Sequence, residues 1–122
     1  MLFRSTRIEE PEGTISLEGS ERLQLDGMEL QIVHTPGHTP GSIIGVIDNQ
    51  IVATGDTLFA GSIGRTDLPR GSISDMEESL REKIAALPEH LGVLPGHGEQ
   101  TRMERELKEN PFLKQAIERR LA

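Results

Sequence analysis

Cysteine is missing from this 122-residue chain, and so are tryptophan and tyrosine; three phenylalanines are its whole aromatic complement. Without cysteine the chain itself can form no disulfide, no thiolate metal site and no cysteine nucleophile. With so few rings the core must be aliphatic, made of Leu, Ile and Val side chains that each contribute about 1.5–3 kcal/mol when buried. Long apolar runs are also lacking. Runs such as Ile43–Ile44, Val46–Ile47 and the four-residue Ile84–Leu87 fall far short of the roughly 18 residues that suggest a membrane span. No apolar stretch follows the basic start Met1–Arg7, so it does not read as a secretory signal. Positive charge is in deficit: 13 Lys and Arg face 20 Asp and Glu, a formal net charge of −7, and the basic residues are dispersed. A phosphate-binding surface needs clustered cations, so neither nucleic acid nor a membrane is an expected partner. The expectation is a soluble, cytoplasmic protein, too short at 122 residues to hold two domains comfortably.

What is present is strongly patterned after a polar, irregular stretch. Residues 1–21 read as a tail with one short strand around Thr14–Leu17, ahead of a domain over 22–122. Leu23, Leu25, Met28, Leu30 and Ile32 alternate around Asp26-Gly27, the form of a tight hairpin. Ser42–Ile47 and Gln50–Ala53 flank Asp48-Asn49 as a second hairpin, and Gly92–Leu94 reads as a short buried strand. Ser74 with Glu77 has the spacing of a capping box ahead of Met76, Leu80, Ile84 and Leu87, and Pro88 ends that helix. Thr101 with Glu104 repeats the box for a helix reaching about Glu109. Asn110 before Pro111 caps a last helix, with Phe112, Leu113, Ala116, Ile117 and Leu121 on one face. Strands first and helices later imply an α/β (α+β) fold, a mixed sheet covered on one face by two or three helices.

Two long loops, Thr35–Gly41 and Thr54–Gly71, interrupt this pattern, and loops at strand ends are where a rigid scaffold usually carries chemistry. Three of the chain's His and Asp residues lie in Gly/Pro turns directly after apolar strands: His38 in the segment Val33–Ser42, Asp56 in Ala53–Phe59, and His97 in Leu94–Gly98. A divalent metal takes neutral imidazole and deprotonated carboxylate ligands held rigidly, and these three residues meet that need. His34 ends a strand four residues before His38, but Pro36-Gly37 forbids a helix that would align the two, so it reads as structural. His90 follows a helix end, where a cation favours the helix dipole. Arg65 is a weak candidate for binding a substrate carboxylate, against a plain ion pair with Asp67 that pins the loop. Ser62 and Ser72 have no adjacent base and are not read as nucleophiles.

The segments His34–Ser42, Gly55–Leu68 and Leu94–Gly98 together resemble the metallo-β-lactamase superfamily, and most nearly its glyoxalase II-like hydrolases. The resemblance runs from about Leu23 to Leu113 and includes the Glu109–Leu113 segment, Glu-Asn-Pro-Phe-Leu. It implies an αββα sandwich with a binuclear zinc centre, in which iron or mixed metals also occur. His38 then matches a histidine ligand of the first metal, Asp56 the carboxylate bridging both, and His97 a histidine ligand of the second. In such enzymes a metal-bridging hydroxide attacks an ester-type carbonyl, commonly a glutathione thioester. The family's Thr-His-X-His-X-Asp-His motif is absent, so the chain resembles the C-terminal half of the domain alone and keeps three of seven ligands. That implies weak metal binding and impaired hydrolysis. It also implies an apolar sheet face left for a second copy or a complementing N-terminal half. Two other readings stay open: a persulfide dioxygenase-like iron enzyme, which shares the Gly-Asp-X-Leu-Phe and Gly-Arg-Thr-Asp stretches, and a non-catalytic subunit that needs a partner chain.

Overall fold

The structure, a computed structural model, describes residues 20–25 and 27–122; the strand expected at Thr14–Leu17 lies outside the described residues. The first hairpin forms where the Asp-Gly signal placed it. β1 (Ser20–Leu25) pairs antiparallel with β2 (Met28–His34), Leu25 standing opposite Met28, and the turn has Gly27 at a φ of 81°. β1 starts at Ser20, just inside the segment read as tail. β3 (Ile43–Ile47) and β4 (Ile51–Gly55) form the second hairpin around Asp48 and Asn49, both at positive φ (51° and 53°). Asn and Asp tolerate this conformation better than other non-glycine residues, which suits a tight two-residue turn. The second long loop is not irregular throughout: β5 (Leu58–Phe59) and β6 (Ser62–Ile63) make a miniature hairpin inside it.

The chain then crosses to α1 (Ile73–Ser79), which continues into one π-helical turn, Leu80–Ile84. The cap of α1 is Ser72 rather than Ser74: its side chain accepts from the Asp75 amide, so the capping register lies two residues earlier than the Ser74–Glu77 spacing implied. β7 (Gly92–Pro95) returns parallel to β4, and β8 (Thr101–Arg102) pairs antiparallel with β7. Thr101 therefore sits in a strand and does not cap α2 (Met103–Glu109), whose N-cap is Arg102. Asn110 caps α3 (Pro111–Ile117) as expected, its side chain accepting from the Phe112 and Leu113 amides with Pro111 in the first turn.

The main sheet has the order β1-β2-β3-β4-β7-β8. Paired residues share a face, so the register sorts its side chains. Val33, Ile44, Val46, Val52 and Val93 face one way and pack on Met76, Leu80, Ile84, Met103, Leu113 and Ala116 from the helical side. Gln31 shares this face and is buried with them. The expected helical cover on one face is thus present. Of the expected apolar face of α3, Leu113 and Ala116 are buried while Phe112 and Ile117 are exposed.

The opposite face is apolar too. Leu30, Ile47 and Ile51 lie side by side on it, as do Ile32, Gly45, Ala53 and Leu94, with Ile43 at the end. Ile43 is 51% exposed, Met28 37% and Ile51 36%. Leu23, opposite Leu30 at the β1 margin, is buried. No helix among the described residues is long and apolar enough to cross a membrane.

Candidate functional site

β2, β4 and β7 run in the same direction, so their C-terminal ends open at one edge of the sheet. That common edge brings the three sequence candidates together. His38 comes from the loop after β2, Asp56 directly follows β4, and His97 follows β7. Asp56 is central: its Oδ2 lies 3.7 Å from His38 Nε2 and its Oδ1 lies 3.5 Å from His97 Nδ1. Each carboxylate oxygen faces a different imidazole.

The first loop is held from several sides. The Thr35 amide donates to the Ser42 carbonyl, the Ser72 amide to the Gly37 carbonyl, and the Ser79 hydroxyl to the Pro36 carbonyl. His34 lies 2.6 Å, through Nε2, from the Pro40 carbonyl oxygen, which gives it the structural role expected. His38 Nδ1 is 2.9 Å from the Arg65 carbonyl oxygen. A carbonyl only accepts, so Nδ1 carries the proton, and in the neutral ring Nε2 presents its lone pair to Asp56. The backbone comes close on the other sides. A Cβ at Gly64 would overlap the Asp56 carbonyl oxygen, and one at Gly96 would stand 3.0 Å from the Gly55 carbonyl oxygen and 3.4 Å from Asp56 Oδ1.

A cleft of about 420 Å³ opens over these residues, walled by Phe59, Ile63, Gly64 and Arg65. The Phe59 ring lies against the His97 imidazole, centroids 4.7 Å apart and planes tilted by 34°. Arg65 contributes its carbonyl to His38, but its guanidinium is taken up by Asp67 through Nε (3.0 Å) and Nη2 (3.1 Å). This forked pair lowers the Asp67 carboxyl below the usual range and raises the arginine above its own. The ion-pair role accounts for Arg65, and its side chain stands largely in solvent. His90 lies apart, 2.7 Å through Nε2 from the Asn49 carbonyl, so it braces the β3–β4 turn rather than a helix terminus.

The donor set fits a metal only in part. Two ligands about 2.1 Å from a tetrahedral ion stand roughly 3.4 Å apart, close to the two imidazole–carboxylate separations of 3.7 and 3.5 Å. Among the described residues, however, no group of three or more His, Cys, Asp or Glu side chains converges to hold one ion. The three residues make two pairs with Asp56 in common, two protein ligands for each position, where a catalytic zinc usually takes three.

The sequence profile of the metallo-beta-lactamase superfamily matches residues 7–97. The chain belongs to the metallo-beta-lactamase superfamily. It is 44% identical over 105 residues to the hydroxyacylglutathione hydrolase GloC of Haemophilus influenzae, a match covering 84% of this chain and 49% of that protein. ETHE1 from Myxococcus xanthus superposes with a TM-score of 0.75 at 28% identity, over 88% of this chain and 49% of that one. TTHA1623, solved in a di-iron-bound form, does so with a TM-score of 0.63 at 34% identity, over 87% and 48%. The chain thus spans about half the length of the curated relatives it matches, as the resemblance to a C-terminal half implied.

Sequence reading missed two features of this superfamily site. One is Phe59 against His97. The other is a buried pair, Glu106 and Asn110, beneath the β5–β6 hairpin. Asn110 was legible only as a cap. The signal for the pair was the spacing: a carboxyl and an amide four residues apart share one side of a helix.

Proposed function

We propose that this chain supplies the bridging-carboxylate half of a binuclear metallohydrolase centre acting on a thioester or ester, with a glutathione thioester as the substrate class. The observation that carries this reading is Asp56 facing an imidazole with each of its two oxygens. His38 and Asp56 would hold one ion, and Asp56 and His97 the other. Metals bound there supply a water of lowered pKa and polarise the carbonyl under attack. Zinc suits this imidazole and carboxylate set, and so does iron. The Arg65 carbonyl holds His38 in the ligating tautomer, and Phe59 and Ile63 give the acyl group an apolar wall. The similarity to the hydroxyacylglutathione hydrolase supports the thioester substrate.

Two ligands per position make for weak binding, and the partly exposed apolar face of the sheet is where the remainder would fit. The relatives carry about as much chain again as this one spans. We assign to the face a complementing half-domain with a matching apolar sheet, whose loops bring the other ligands to the same edge. Equilibrium dialysis with zinc tests the site: weak binding is expected, and less still for Asp56→Asn. Adding a segment that bears Thr-His-X-His-X-Asp-His is expected to tighten binding and start thioester hydrolysis. One zinc held tightly by the chain alone, or hydrolysis unaffected by Asp56→Asn, overturns the reading.

A second reading, a persulfide dioxygenase-like iron enzyme, draws on the similarity to ETHE1 and to the di-iron neighbour. Oxygen uptake with glutathione persulfide by the complemented, iron-loaded protein, without thioester hydrolysis, would favour it.

A further inference from the structure

Among the described residues, Glu106 is the one charged residue type that is fully buried, at 1% exposure. Three donors converge on its carboxyl: the Gly61 amide (2.9 Å) and Asn110 Nδ2 (2.9 Å) on Oε1, and the Thr101 hydroxyl (2.8 Å) on Oε2. Asn110, wholly buried, also donates from Nδ2 to the Ser62 carbonyl (3.1 Å) and, at 3.4 Å, to that of Phe59. Three backbone groups of the β5–β6 turn are thus tied down by two side chains of the helical layer. The turn needs such a tie, because two residues per strand are too few to hold a hairpin by their own pairing.

This hairpin and the segment that follows it reach both imidazoles of the site. Its first strand carries Phe59, whose ring lies on His97. Its second strand runs into Gly64, pressed against Asp56, and Arg65, whose carbonyl fixes the proton of His38. His97 itself is 76% exposed and has Phe59 as its ring neighbour. We propose that Glu106, with Asn110, is a positioning residue of the site: through the β5–β6 hairpin it sets the orientation of His97 and of His38. The inference rests on the metallohydrolase reading for its importance to activity, but the coupling is a property of the chain alone. The sequence hides it, because Glu106 is some 45 residues from the turn it anchors.

The test compares four variants of the 122-residue chain by the imidazole proton resonances of His38 and His97 without metal, and by titration with zinc chloride. Phe59→Leu marks the His97 resonances expected when the ring contact is lost. Glu106→Ala is expected to move them in the same direction and to weaken zinc binding by about tenfold or more, the usual scale for a lost supporting partner. Glu106→Gln keeps an oxygen for Gly61 and Asn110, and its Nε2 can donate to Thr101 Oγ1 once that hydroxyl rotates, so resonances and affinity should return close to those of the parent. Leu87→Ala lies in the core before β7, at the end of that strand away from the site; it should lower stability and leave the His97 resonances in place. If Glu106→Ala does not fold, Asn110→Asp carries the test. It preserves the cap oxygen but turns the Nδ2 donor into an acceptor facing three oxygens, and the same displacement is expected. Unmoved His97 resonances in Glu106→Ala or Asn110→Asp, or an equal movement in Leu87→Ala, overturn the proposal. A parent chain that takes up no zinc at all overturns the metallohydrolase reading instead, and the metal-free resonances still decide the positioning role.

Discussion

Asp56 takes its place between two imidazoles because glycine surrounds it. It leaves β4 through Gly55 at a φ of 51°, and Gly64 and Gly96 let two other backbone segments come up to it. The closeness differs between the two, and so does the expected cost of filling it. At Gly64 a methyl group would overlap backbone of a rigid turn, whereas at Gly96 the closest backbone atom stands 3.0 Å off. Gly64→Ala is therefore expected to lose about 3 kcal/mol or more, at the upper end of overpacking penalties, and Gly96→Ala roughly 1 kcal/mol. Urea unfolding of both variants measures the difference. Both should also weaken zinc uptake, Gly64→Ala the more, because the displaced segment carries the Arg65 carbonyl that orients His38. At this scale the sequence was readable where residue type dictates chemistry: His38, Asp56 and His97 stood out as ligand types after apolar strands. It was not readable for Phe59, since nothing local in the sequence says which of three phenylalanines lies on an imidazole.

Among the secondary elements, local signals held where backbone and side chain satisfy each other within a few residues. The Asp48-Asn49 turn and the Asn110-Pro111 cap are of this kind. They failed where two registers competed: Ser72 and Ser74 both offer a hydroxyl, and the cap is Ser72, which is itself held by its amide on the Gly37 carbonyl. Thr101 was lost to a strand because its backbone pairs with Val93 and its hydroxyl donates to Glu106. α1 carries a further long-range contact. Glu77 accepts from the Leu121 and Ala122 amides, at 2.8 and 3.1 Å, and lies 3.7 Å from Arg81. The Ala122 and Leu121 hydrogen bonds hold its carboxyl below the ordinary glutamate range. A depressed carboxyl stabilises the fold above its unfolded pKa, and the contribution is lost as pH falls through the lower, folded value. The amides of Leu121 and Ala122 should thus stay anchored at neutral pH and be released only as pH falls below the ordinary glutamate range. Their resonances followed through an acid titration should move with Glu77, and Glu77→Ala, which removes the accepting oxygen, should show the released position already at neutral pH.

Among the described residues, one face of the sheet is closed by helices and the other is partly exposed, and both are largely aliphatic. Substitutions on the two faces should behave differently. Leu80→Ala, from the closed core, is expected to cost about 2–5 kcal/mol. Ile43→Lys and Ile51→Lys lie on the open face and should change stability by no more than about 0.5 kcal/mol, as for surface positions. They should instead reduce association, either with a complementing half-domain or between copies of this chain. Light scattering of the parent and the two lysine variants at micromolar concentration separates these cases. A parent of single-chain mass that becomes larger only with the complementing segment supports the half-domain as occupant, and a parent of twice the chain mass supports a second copy. A parent that remains one chain with or without the segment removes the docking role of the face.

The sequence by itself showed the candidate residues His38, Asp56 and His97, the two hairpins and the last helix, because each is written in residues a few positions apart, and the family, because three such segments occur in one chain. The resemblance extended that reading to a half-domain, and the coverage of the relatives agrees with it. Tertiary structure decided which strand ends meet, which hydroxyl caps α1, and which face of the sheet stays open. It also decided that Asp56 is shared between two imidazoles, and that a buried Glu106 anchors the turn beside them. These outcomes depend on residues up to about 50 positions apart in the chain. Local propensity does not reach that far; the parallel return of β7 beside β4 and the close packing of the helices on one face do.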